Sequence, residues 1–145
     1  MFKDFLSRLT QETPDDLAEP DARLALTALL VRIARSDNDY ADAEIRRIDK
    51  IIEARYGLSP FEAAHLRGQA ETLETEAPDT VRFTRAIKEA VPYDHRKAVV
   101  EVAWSVVLAD GERSKEEDSL LRLVSSLLGV NDRDSAIARH KAARS

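Results

Sequence analysis

Two stretches of this chain are so densely apolar that each must be enclosed on most of its circumference, and any fold has to be built around them. The first carries Leu24, Leu26, Ala28, Leu29, Leu30, Val31, Ile33 and Ala34. The second carries Val99, Val100, Val102, Ala103, Trp104, Val106, Val107 and Leu108. A surface helix shows one apolar stripe, whereas apolar residues all round mean burial. The β-branched residues of the second stretch suit a strand, but the run from Asp94 to Ala109 is too long for one, so a helix is expected. An acidic segment follows each stretch. The first reads Ser36-Asp37-Asn38-Asp39 and runs on to Glu44; the second reads Ala109-Asp110-Gly111-Glu112 and runs on to Glu117. Asp37 and Asp110 are 73 positions apart, and so are Glu44 and Glu117.

The remaining segments also read as helices. Pro20 suits the first turn of the first buried helix, where a missing N–H costs nothing. Ile45, Ile48, Ile51 and Ile52 recur at helical spacing until Tyr56-Gly57 stops them. Ser59-Pro60-Phe61-Glu62 is a capping box with proline at the first helical position. Asp79 is expected to cap a helix carrying Val81, Phe83, Ile87 and Val91, and Pro92 separates it from the second buried helix. There Asp94 is expected as the cap, His95 as a surface residue, Trp104 as core and Tyr93 as core edge. Ser114-Lys115-Glu116-Glu117 opens the next helix as a second capping box, with Leu120, Leu121, Leu123, Val124, Leu127 and Leu128 behind it and Gly129 ending it. A last helix is expected from near Asp132 or Asp134 toward Ser145.

The fold class is therefore all-α: a compact bundle of about seven to eight helices with an internal pseudo-twofold duplication. Residues 1–145 are expected to form a single domain, with repeat halves at about 21–74 and 94–145. Two copies do not make a solenoid, whose units are shorter and number at least three. Residues 1–20 are expected to form an N-terminal amphipathic segment, with Phe2, Phe5, Leu6 and Leu9 on one side if it is helical. Docking onto the domain is its expected role, and a weak membrane or partner contact the alternative.

Composition narrows the function classes. A length of 145 residues supports one apolar core without staples, and only four glycines and five prolines leave little chain for loops. The net charge of −5 argues against general nucleic-acid or anionic-membrane binding, because phosphate contacts need clustered Lys and Arg. The basic run Arg139-His140-Lys141 to Arg144 is expected to be a solvated helix end. The chain has no cysteine, which excludes disulfides, thiolate metal sites and cysteine nucleophiles, and suits a reducing compartment. No apolar run is long enough for a transmembrane span, and the N-terminus does not read as a signal peptide.

The acidic segments carry the chemistry. Hard divalent cations such as calcium and magnesium, rather than zinc, suit carboxylate and carbonyl oxygens. Asp37, Asp39 and Glu44 offer three carboxylates in the first loop; Asp110, Glu112 and Glu117 offer three in the second. Gly111 permits a left-handed turn, and Asn38 is the next most permissive residue at the matching place. The calcium EF-hand is not matched: counted from Asp37, position 6 is Asp42 and position 12 is Ile48; counted from Asp110 they are Lys115 and Leu121. The same residues have an ordinary structural explanation. Glu117 lies three after Ser114 as a capping-box residue, and acidic side chains in a first helical turn favour the dipole without any ligand.

These two segments, each behind a buried helix, resemble the TerB family of tellurite-resistance proteins, over roughly Leu24 to Val130. The resemblance implies a compact all-helical bacterial protein of the cytoplasm or the inner-membrane periphery, linked to stress responses to tellurite and other toxic agents. It also implies metal binding by acidic residues and partnership with other tellurite-resistance proteins, some at the inner membrane. The family's acidic positions fall on Asp37 and Glu44 and on Asp110 and Glu117. Asn38 stands where glycine is usual, which weakens the expectation of one shared loop geometry. Tyr40 and Arg113 lie inside the loops, and a guanidinium there would neutralise the site from within.

Nothing in the sequence reads as an enzyme. His65, His95 and His140 fall in different expected helices, and no His-Glu-x-x-His array, phosphate-cradling glycine loop or Gly-x-Ser-x-Gly elbow occurs. Two functions remain open: a divalent-ion-binding stress protein, or an interaction module whose acidic loops are helix caps or dock a basic partner.

Overall fold

The computed structural model describes residues 19–36, 40–77, 79–108 and 115–144, with side chains at 21–36, 40–77, 79–108 and 118–142. Seven helices occur among these residues, and no strand. They are α1 (Glu19–Ala34), α2 (Asp42–Tyr56), α3 (Pro60–Glu76), α4 (Thr80–Ala90), α5 (Tyr93–Val107), α6 (Lys115–Leu127) and α7 (Asp132–Arg144). The expected N-terminal amphipathic segment and the Ser114 cap lie outside the described residues.

α1 is the most enclosed element. Every residue from Ala25 to Val31 is buried, and Ile33 and Ala34 follow. α5 is the second central helix and buries Val99, Val100, Ala103, Trp104, Val106 and Val107. The two central helices pack on each other, and each packs most extensively on the last helix of its own half, α1 on α3 and α5 on α7. Cross-packing of α2 on α5 and of α1 on α6 joins the halves, so the same set of pairings occurs in both. Phe83 and Ile87 of α4, Ile48 of α2, Leu73 of α3 and Leu121 of α6 complete the core, each fully buried. Burying one such side chain contributes roughly 1.5–3 kcal/mol.

Helix ends follow local chemistry in most places. Ser59 Oγ accepts from the Glu62 N–H at 3.1 Å while Glu62 Oε1 accepts from the Ser59 N–H at 2.9 Å, the reciprocal box expected from sequence. Asp79 Oδ1 accepts from the Arg82 N–H at 3.0 Å. Gly57 and Gly129 close α2 and α6 at φ 64° and 75°. In both cases the next N–H reaches back into the helix, Leu58 to Glu53 O at 3.0 Å and Val130 to Ser125 O at 2.9 Å.

Three expectations need correction. Asp94 does not cap α5; Pro92 does, at φ −60° and ψ 154°, and its carbonyl accepts from the His95 and Arg96 N–H groups. Proline has the right φ to stand just before a helix, so Asp94 moves into the first turn, where its charge still suits the dipole. Val91 does not belong to α4. It is extended at φ −125° and ψ 130°, as the residue before a proline usually is. At the other end of the chain Arg139 is not simply solvated, since its guanidinium stands over the Trp104 ring at 5.7 Å.

Candidate functional site

Of the six carboxylates singled out from sequence, the structure describes one side chain. Asp37, Asp39, Asp110 and Glu112 lie outside the described residues, and Glu117 is described in backbone only. That backbone is informative, because α2 begins at Asp42 and α6 at Lys115. Glu44 and Glu117 are therefore both the third residue of their helices, so the duplicated spacing is a duplicated position on a helix.

Glu44 is fully buried, at 0% relative exposure, an unusual state for a carboxylate. Its Oε1 accepts from the Ala41 N–H at 3.3 Å. Ala41 stands at the cap position in extended geometry and has no side-chain oxygen of its own, so only Glu44's half of a capping box can form. The N-terminal pole of α2 favours a negative charge at this point. Asp42, two residues nearer the loop, is exposed. Among the described residues no three His, Cys, Asp or Glu side chains come together as a metal-holding group.

The first acidic loop is bracketed by a charge network that local sequence reading does not find. On α1, Arg32 Nε meets Glu74 Oε1 at 3.2 Å and Arg32 Nη2 donates to Glu74 O at 3.1 Å. Arg35 Nη1 meets Glu74 Oε2 at 2.9 Å. From α3, Arg67 pairs with Asp49 of α2 at 2.6 Å and with Glu71 at 3.1 Å. Burial opposes the charge of Arg67, but these two carboxylates outweigh it and hold the guanidinium above its ordinary pKa. Tyr40, at the far end of the loop, packs on the core and carries the Arg35 guanidinium over its ring at 5.1 Å. Its buried Oη lies beside the Glu71 carboxylate without meeting normal hydrogen-bond geometry. Burial, reinforced by that carboxylate, pushes the phenol well above its usual range, so it stays neutral at any physiological pH. Of the ion pairs, Arg67 with Glu71 was readable as an i,i+4 contact; the others link residues 18 or more apart.

The histidines remain apart, with His65 on α3, His95 on α5 and His140 on α7, all exposed. No helix among the described residues is long and apolar enough to cross a membrane.

In this helical bundle two buried helices are each followed by an acidic segment and then by a helix with glutamate at its third position. The family model for "Tellurite resistance protein TerB" matches residues 23–140, and the chain belongs to the TerB family. The match runs beyond the Leu24–Val130 stretch on which the resemblance rested and takes in most of α7. No curated protein and no solved structure matches the chain.

Proposed function

We propose that this chain is a non-enzymatic stress protein of the tellurite-resistance type that binds a divalent metal ion through its acidic loops. The observation that carries the reading is Glu44: a fully buried carboxylate at the end of the first acidic segment, with Glu117 at the same helical position behind the second. The donor set fits the group, since Asp37, Asp39, Glu44, Asp110, Glu112 and Glu117 offer hard oxygens alone, suited to calcium or magnesium before zinc. A bound ion would neutralise carboxylates that otherwise repel one another, and so would tie each loop to the helix it opens. A cytoplasmic location, peripheral contact with the inner membrane and partnership with other tellurite-resistance proteins belong to the same reading. Family membership supports all three.

A second reading rests on the hydrogen bond from the Ala41 N–H to Glu44. In it the glutamates are helix caps, and the acidic loops dock a basic surface on a partner.

Thermal unfolding in chelator and in millimolar calcium, magnesium, manganese or zinc separates the two, for the wild type and for Asp37→Ala/Asp110→Ala. Linkage requires any ion that binds only the folded chain to raise the midpoint. A rise of several degrees with one ion, abolished in the double variant, supports the metal site. No rise with any ion favours the docking reading, whose association with a basic partner would weaken as salt is added.

A further inference from the structure

We propose that the outer face of the α2–α3 hairpin docks on an anionic lipid bilayer, with Phe61 as the apolar anchor and Arg46, Arg47 and Lys50 as the cations that meet the lipid phosphates. The proposal rests on the peripheral-membrane part of the reading above and not on ion binding.

α2 and α3 pack on each other, and both rest on α1. Arg67 Nε meets Asp49 Oδ1 at 2.6 Å, so these two residues mark the sides on which the helices face each other. In α2 the buried line is Glu44, Ile48 and Ile52. At about 100° per residue, Arg46 and Lys50 lie on the opposite side with Arg47 at its edge, and all three are exposed. In α3 the buried residues Ala63, Ala70 and Leu73 put Phe61 on the opposite side of the first turn, where it is 84% exposed. The helices run side by side over one buried layer, so their outer sides form a continuous face. Among the described residues no ion pair holds Arg46, Arg47 or Lys50, whereas Arg32, Arg35 and Arg67 are each held by a carboxylate. Arg46 and Lys50 stand at i and i+4 and repel, so a countercharge from outside the chain relieves them both.

The bundle itself needs neither feature. At the matching interval of 73 positions α6 carries Ser119, Leu120 and Leu123 in place of Arg46, Arg47 and Lys50. The second position of α7 is Arg133, where that of α3 is Phe61. One aromatic ring flanked by cations is a small hot spot for a protein interface, which buries about 800 Å² on each partner around several anchors. It suits a bilayer better. There the ring reaches the acyl boundary, while arginine and lysine stems lie along it and their charged heads stay with the phosphates. The net charge of −5 denies the chain a general affinity for anionic surfaces, so contact depends on a local face. The carboxylates bordering this face oppose it little. Asp42 lies at the far end of the 15-residue α2, about 20 Å from the turn. Glu53 is only half-exposed, and Glu62 Oε1 is occupied by the Ser59 N–H at 2.9 Å.

The test is co-sedimentation of the full chain, in chelator, with vesicles of phosphatidylcholine alone and of phosphatidylcholine and phosphatidylglycerol in equal parts. Far-UV circular dichroism confirms that each variant is folded. The wild type should bind the anionic vesicles and not the neutral ones, and added salt should weaken the binding. Arg46→Gln/Lys50→Gln should weaken it about tenfold or more, and Phe61→Ser about tenfold. Phe61→Leu keeps an apolar anchor and should retain most of the affinity. Lys97→Gln/Arg133→Gln, exposed on α5 and α7, should bind as the wild type does. Should Phe61→Ser fail to fold, the Arg46/Lys50 variant carries the test alone. A wild type that binds neither vesicle overturns the lipid face and turns its cations toward an acidic protein surface. Anionic-vesicle binding that survives unchanged in folded Arg46→Gln/Lys50→Gln or Phe61→Ser overturns it as well. With chelator present throughout, neither result bears on the divalent-ion reading. A chain that ignores vesicles yet sediments with the cell's membrane fraction keeps its peripheral contact through a partner protein and loses this face.

Discussion

Tyr93 Oη donates to Asp134 Oδ2 at 2.7 Å and so ties the first turn of α5 to the first turn of α7. The hydrogen bond raises the Tyr93 pKa above its ordinary 10 and lowers that of Asp134 below its ordinary 3.8. Asp134 also receives the Asn131 amide at 3.3 Å, while its N–H donates to Asn131 Oδ1 at 2.8 Å to cap the helix.

The pair predicts a pH signature at both ends of the scale. The raised phenol contributes stability that is complete below pH 10 and is lost as pH climbs through its folded-state value. The lowered carboxylate contributes stability that is complete above 3.8 and is lost as pH falls through its own folded-state value. The melting-temperature gap between the wild type and Tyr93→Phe should hold steady from about pH 6 to about pH 10 and shrink above that. A gap that widens in alkali would contradict the assignment.

Gly57 and Gly129 share a left-handed backbone but differ in what surrounds them. A Cβ on Gly57 would meet nothing within 4 Å, whereas one on Gly129 would meet Arg96 Nη1 and Lys88 Cε, each at 3.1 Å. Lys88 can swing away. Arg96 is pinned, since it donates to Leu128 O through Nη1 and to Val91 O through Nε. Gly57→Ala should cost about 1 kcal/mol from backbone strain, and Gly129→Ala about 2 kcal/mol or more. Urea unfolding midpoints for the two variants test the order.

Leu29 lies at the centre of α1 with no exposure, and Leu123 on α6 is 48% exposed. Leu29→Ala should destabilise by about 3 kcal/mol through lost burial and a residual cavity. Leu123→Ala should stay within about 0.5 kcal/mol, as for most surface positions. Denaturant titration with a shared slope measures both.

Glu44→Gln preserves shape and an oxygen acceptor for the Ala41 N–H but removes the charge. Burying a neutral amide costs less than burying a carboxylate, so the melting temperature in chelator should change little or rise. If Glu44 is an ion ligand, the stabilisation given by calcium should fall sharply, with affinity lower by about tenfold or more. Unchanged stabilisation by calcium would assign Glu44 to capping alone.

Much of the fold was legible because its determinants are local. The dense apolar runs that became α1 and α5, the Ser59–Glu62 box and the stops at Gly57 and Gly129 each work within about one helical turn. The correction at Pro92 was local too: a capping carboxylate and a preceding proline competed for one position, and backbone geometry favoured the proline. The candidate site was legible only as a list of carboxylates at a repeated spacing. That spacing corresponds to a repeated helical position, the third residue of α2 and of α6.

The amino-acid sequence by itself determined which segments are helices, where most of them stop and which two lie at the centre. Apolar periodicity and capping act between residues a few positions apart. Only the tertiary structure decided that Glu44 is buried, that Arg32 and Arg35 both face Glu74 across some forty residues of chain, and that the Arg35 guanidinium lies over the Tyr40 ring. Those outcomes depend on how α1, α2 and α3 pack against one another. On the surface of an isolated helix an arginine has no distant partner to choose; the packing of the buried faces supplies it.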